Sequence, residues 1–87
     1  MKFGYIRYGN MSPEFWEITA EQRKEKVAEI KKEMEKQGFK LVLWGHPYGT
    51  SENIVFVYKS EKGLDSLIEV GVPHPMGNTR TNIVQIP

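Results

Sequence analysis

Residues 38–60 read GFKLVLWGHPYGTSENIVFVYKS. Two runs of branched and aromatic residues flank a polar stretch containing Gly45, Pro47 and Gly49, the pattern of two strands joined by a turn. Side chains alternate across a strand. In the first run Phe39, Leu41 and Leu43 share one face, and Lys40, Val42 and Trp44 the other. In the second run Ile54, Phe56 and Tyr58 share one face, and Val55, Val57 and Lys59 the other. The turn from Gly45 to Asn53 is too long to dictate a register. Either register leaves both faces apolar. A sheet open to water on one side carries a polar face, so each face here needs a cover.

Upstream of the hairpin lies the material for one cover. Thr19 and Gln22 stand at capping-box spacing. The run TAEQRKEKVAEIKKEMEKQ is rich in strong helix formers. Gly38 suits its C-terminal end. The expected helix runs from Ala20 to Gln37, with a narrow stripe of Ala20, Val27, Ile30 and Met34, and its charged remainder reads as a solvated face. Further upstream, Lys2 to Gly9 reads as a first strand. Ser12-Pro13-Glu14 reads as a capped helical turn, followed by Phe15 and Trp16. Downstream, Leu64, Leu67 and Ile68 fit one face of a short helix ending near Gly71. VPHPMGN, residues 72–78, is a loop with two prolines. Thr79 to Ile86 reads as a last strand. Two helices can cover one sheet face. The other must meet a partner subunit, a ligand, or both.

Eighty-seven residues make a single domain, 1–87. A chain this short buries only roughly 60–65 % of its unfolded surface, and a partner copy would help it. The net charge of +1 argues against nucleic acid and membrane surfaces as partners. With no cysteine there is neither a disulfide framework nor a thiolate zinc site. No run is apolar enough to span a membrane, and MKFGYIRYG does not read as a signal peptide. The expected location is cytoplasmic.

The order strand, helix, strand, strand, helix, strand is the split βαβ unit. The expected class is α+β, ferredoxin-like βαββαβ, with a four-stranded antiparallel sheet in order 4-1-3-2. Both helices lie on one face, and a homodimer forms through the other. Right-handed crossovers place the first and third strands at the centre, in a parallel sense. In order and length the chain resembles the dimeric α+β barrel superfamily, which holds small monooxygenases, muconolactone-type isomerases and effector-binding regulatory domains. Its ending, a short helix, Gly71-Val72, then TRTNIV, is similar to the threonine-rich last strand of the effector-binding domains. The resemblance implies two sheets facing each other and a small-molecule cavity in or beside them, without a cofactor. Acylphosphatases carry a glycine-rich phosphate turn after the first strand, where this chain has GNMSPEFW. An RNA-recognition platform would use Tyr5, Phe56 and Tyr58 for stacking, but ENIVFVYK lacks that family's basic residue and glycines.

With the central strands parallel, Arg7, Tyr8, Asn10, Tyr58, Lys59, Arg80 and His74 gather at one sheet end. Trp44, His46, Tyr48, Glu52 and Asn53 gather at the other. Arginine offers a planar fork of donors for a carboxylate, so Arg7 or Arg80 is expected to hold a small organic acid, with Tyr8 or His74 passing a proton. The competing reading is that both arginines snorkel at the rim or make surface ion pairs. His46 with Glu52 is the second candidate acid/base pair. It competes with a plain turn histidine before Pro47. A metal would need a third ligand, and none stands near. Phe15 and Trp16 form either a lid or part of the core. Trp16, Trp44 and Tyr58 complete the candidate ligand-binding set. No phosphate loop or nucleophile elbow is present. The function expected is a homodimeric small-molecule binder or cofactor-independent enzyme. The alternatives are an interaction or regulatory module and, after it, an RNA-binding sheet.

Overall fold

A computed structural model of the chain describes residues 2–62 and 77–87. The short helix expected at 64–71 and the loop carrying His74 lie outside the described residues. The chain folds as β1 (Lys2–Asn10), α1 (Pro13–Glu17), α2 (Ala20–Lys36), β2 (Lys40–Gly45), β3 (Ile54–Ser60) and β4 (Gly77–Ile86). This is an α+β arrangement of a four-stranded antiparallel sheet with helices, compatible with a ferredoxin-like fold. Among the described residues no helix is long and apolar enough to cross a membrane.

Local chemistry sets the helix ends. The Thr19 hydroxyl accepts from the Gln22 amide at 3.1 Å, and the Gln22 side chain accepts from the Thr19 amide at 3.1 Å, so two orphan donors are met. At the other end the Phe39 amide returns to the Met34 carbonyl at 2.9 Å and the Gly38 amide to Glu35 at 3.0 Å. That double closure needs a left-handed residue, and Gly38 supplies it at φ 90°. The stripe Val27, Ile30 and Met34 is buried, whereas Ala20, at the first turn, stays exposed. Arg23 ties α1 to α2: it donates to the carbonyls of Trp16 and Ile18, which the end of so short a helix leaves open.

The strands lie in the order β2-β3-β1-β4, which from the β4 edge counts as β4-β1-β3-β2. The first and third strands are antiparallel, not parallel as expected: Tyr5 faces Tyr58, Arg7 faces Phe56 and Gly9 faces Ile54. The reason is the connection. The α1–α2 crossover brings β2 up beside the group in the same sense as β1, and the hairpin then returns β3 against both. The end of β1 therefore meets the start of β3.

A second correction concerns β2. Leu41 faces Tyr58, but Leu43 already faces Val57 and Trp44 faces Phe56. Val42 is the extra residue of a β-bulge. The strict alternation read from the sequence breaks there: Leu41 and Trp44 share the face of Tyr58 and Phe56, and Leu43 turns to the other side. The face under α2 is the core. Tyr5, Ile54, Phe56, Tyr58 and Phe39 pack there with Val27, Ile30, Met34, Met11 and Phe15. Ile6, Tyr8, Leu43, Val55, Val57, Val84 and Ile86 share the other face by register. Leu43 is 54 % and Val84 50 % exposed there.

Candidate functional site

Antiparallel pairing regroups the candidate residues. Glu52 and Asn53, at the mouth of the hairpin, sit at the same sheet end as Tyr8, Asn10 and Arg80. Tyr58 and Lys59 fall at the opposite end. Neighbours along a strand also part to opposite faces. Arg7 lies opposite Phe56, on the core side, and Tyr8 opposite Arg80, on the open side. Arg7 and Tyr8 are therefore separated by the sheet, as are Arg7 and Arg80.

On the open face Arg80 pairs with Glu52. Its Nε donates to Glu52 Oε2 at 2.5 Å, and its Nη2 lies 3.4 Å from Oε1. Its guanidinium also lies over the Tyr8 ring, 3.9 Å from the centroid. Glu52 in turn is bonded to Arg80, and His46 has a different partner. His46 Nδ1 lies 2.9 Å from the Asn53 carbonyl oxygen. A carbonyl only accepts, so Nδ1 carries the proton and the ring is oriented as a turn residue. Its ring meets Trp16 edge-on at 5.8 Å and Tyr48 at 5.4 Å.

The Glu52–Arg80 pair carries a pH prediction. Arg80's hydrogen bonds hold the Glu52 carboxyl below its ordinary value of 4.5. A carboxyl depressed by folding adds stability above its unfolded pKa and loses it as pH falls through the folded value. Urea midpoints of the protein and of Glu52→Gln should therefore differ at neutral pH and converge below about pH 4.5. A gap that stays constant down to about pH 3 would show that the pair contributes nothing to the fold.

Asn53 makes a junction that the sequence did not single out. Its side-chain oxygen accepts from the Met11 amide at 2.8 Å, and its amide nitrogen donates to the Met11 carbonyl at 3.1 Å. Its own backbone N–H is shared between the Gly9 carbonyl and the Asn10 side chain. The hairpin mouth is thus bonded to the point where β1 gives way to α1. An asparagine in a polar turn reads only as a turn former, so a 42-residue reach left no mark in the sequence.

The core side holds the remaining candidates. Phe15 is buried and Trp16 and Trp44 pack against the core as half-buried rings, which favours the packing role over a lid. Among the described residues, three buried polar atoms have no hydrogen-bond partner: Arg7 Nε, Trp16 Nε1 and the Tyr58 hydroxyl. All three belong to the candidate ligand-binding set. Burial pushes the Tyr58 phenol up to about 12, with the Arg7 charge pulling the other way. A cavity of about 690 Å³ runs along α1 and α2, walled by Met11, Phe15, Ile18 and Ile30, with exposed Lys26 and Glu29 also lining it. Its size is that of a small-ligand pocket, on the order of 300–1,000 Å³. Among the described residues no three His, Asp or Glu side chains are placed to share a metal ion. The rings Tyr5, Phe56 and Tyr58 are all buried under α2, so they offer no stacking platform for RNA bases.

Comparison with protein-family models, with curated proteins and with solved structures finds no match to this chain.

Proposed function

We propose that the chain acts as a homodimeric small-molecule-binding protein of the dimeric α+β barrel kind, two ferredoxin-like halves meeting through their open sheet faces. The observation that carries this reading is the apolar face of Ile6, Leu43, Val55, Val57 and Val84, opposite the face that α2 covers among the described residues. Monomers seldom leave a contiguous apolar patch beyond a few hundred Å² in water. Burial of such a face against its two-fold copy stabilises by about 25 cal/mol per Å² before the cost of association. The sequence leaves two patches open, Val42, Trp44, Val55 and Val57 or the alternate face in the other register; the bulge puts Leu43, not Trp44, on the face of Val55 and Val57. The cavity along α2 supports the small-molecule half of the reading.

One observation favours a second reading, a module that docks a different, acidic protein. Lys40 and Lys59 face each other on the open side, and Lys2 lies on the same face of β1, two residues from Gly4, which stands opposite Lys59. Sedimentation at micromolar concentration separates the two. The homodimer predicts a species of about twice 10.1 kDa, converted to a folded monomer by Val57→Glu, because a carboxylate there loses its water on association without gaining a partner. A single species of 10.1 kDa for the unmodified protein would end the homodimer reading.

A further inference from the structure

Between α2 and the outer strand β2 runs a groove of about 290 Å³. Its helix wall is Lys24, Val27, Ala28 and Lys31, a stripe at the three- and four-residue spacing of one helical face. Its other wall is β2 from Leu41 to Trp44. Two features set this margin apart. The first is exposed apolar surface: Val42 and Leu43 are about half exposed, and both stand on this wall. Val42 is also the bulged residue, and bulges gather at sheet edges and beside active sites, where they re-aim a side chain. The second is charge of one sign. Among the described residues Lys24 and Lys31 are the only charged side chains that line the groove, and neither is paired with a carboxylate. Glu21 and Glu35, the acids at either end of the same helical stripe, stay outside it.

An occupant that suits this groove brings an apolar side chain for its walls and carboxylates for its two cations. Lys24 and Lys31 lie two turns apart, about 10 Å along the helix axis, a distance that an extended segment covers in about three residues. The volume falls below the roughly 300–1,000 Å³ of small-ligand pockets, which suits a side chain better than a whole metabolite. We propose that the groove docks an extended acidic segment of another protein. One large apolar side chain lies against Val27, Ala28 and Val42, and acidic residues on either side of it meet Lys24 and Lys31. The bulge breaks the regular ladder along β2, so the segment is held through its side chains and not as an added strand. Lys24, Ala28 and Lys31 belong to α2, away from the sheet face proposed for the dimer, so the docking does not depend on it.

The probe is the peptide acetyl-Glu-Glu-Leu-Phe-Glu-Glu-amide. One control has Gln in place of every Glu, and the other has Gly-Ser in place of Leu-Phe. Binding to the full chain is followed by isothermal calorimetry and backbone amide NMR. The acidic peptide should bind saturably, about tenfold or more tightly than either control, and should weaken severalfold in about 1 M salt. Its shifts should map to residues 24–31 and 41–44. Lys24→Glu combined with Lys31→Glu should weaken it about tenfold or more and keep the native spectrum, because both positions are exposed. Ala28→Asp, which puts a carboxylate on the same exposed wall, should do likewise. Absence of binding, equal binding of the three peptides, or an unchanged affinity in the double lysine variant each overturns the proposal. Shifts confined to Lys40, Lys59 and their neighbours overturn it too, and assign the acidic partner to the open face. Sedimentation of the same samples reads the dimer separately. A monomer that binds the peptide removes the dimer and leaves the groove, and a dimer that binds nothing does the reverse.

Discussion

Phe56→Ala is expected to lower the stability of the protein by about 3–5 kcal/mol. Phe56 has no solvent exposure and sits on a central strand, opposite Arg7 on one side and Trp44 on the other. Its ring stacks with Trp44 at 6.4 Å and with Tyr58 at 6.2 Å. Truncation removes the transfer energy of the ring and leaves a cavity that strands on both sides keep from closing. A domain of this length has a total stability on the order of 4–13 kcal/mol, so much of the population would unfold near body temperature. Leu43→Ala supplies the contrast. Leu43 is 54 % exposed, on the far side of the same strand pair. Its loss should cost under about 1 kcal/mol in dilute protein, and should grow with concentration as the two-fold contact forms. Urea unfolding at several protein concentrations measures both. A large, concentration-independent loss for Leu43→Ala, with a small one for Phe56→Ala, would mean that the two sheet faces have been assigned the wrong way round.

Asn53→Ala is the second substitution of large expected effect. It leaves the Met11 amide and carbonyl without their partners in a residue that is only 8 % exposed. Each unmet buried group costs about 1–3 kcal/mol, so a loss of roughly 2–6 kcal/mol is expected. The damage should be local before it is global. Met11 and Phe15 wall the cavity, and α1 is held to the sheet at this junction. Hydrogen exchange should therefore quicken at Met11–Ile18 while the amides of β1 and β3 keep their protection. Uniform loss of protection throughout the sheet would deny Asn53 this role.

Much of the fold was legible, because the features that carry it are local. The Thr19–Gln22 box, the Val27–Ile30–Met34 spacing and Gly38 each lie within a few residues of what they control. The site was less legible, for two reasons. Chain direction across a sheet is a property of the whole path. Once β1 and β3 are taken as parallel, Glu52 leaves Arg80's end, although Glu52 and Arg80 are bonded. The second reason is a single residue. The Val42 bulge has no mark in composition, yet it reverses the facing of Leu43 and Trp44. One part of the answer was available without a structure: Arg7 and Tyr8 are adjacent in a strand and so point to opposite faces.

The bulge at Val42 also bears on how far this protein can grow. A sheet with free outer strands invites further strands, and a regular apolar edge would let copies add side by side into a fibre. β2 is one such edge, and the extra residue there breaks the even spacing of its donors and acceptors, with Lys40 and Lys59 adding charge beside it. At the other edge the pairing of β1 with β4 slips between Tyr8 and Asn10. Both margins carry an irregularity that disfavours lateral extension, which leaves the flat face as the larger apolar surface. In the proposed dimer, face-on contact would consume that surface in a single step and leave none for a third copy. Concentrated solutions should therefore hold particles of one finite size, with no turbidity and no seeded growth.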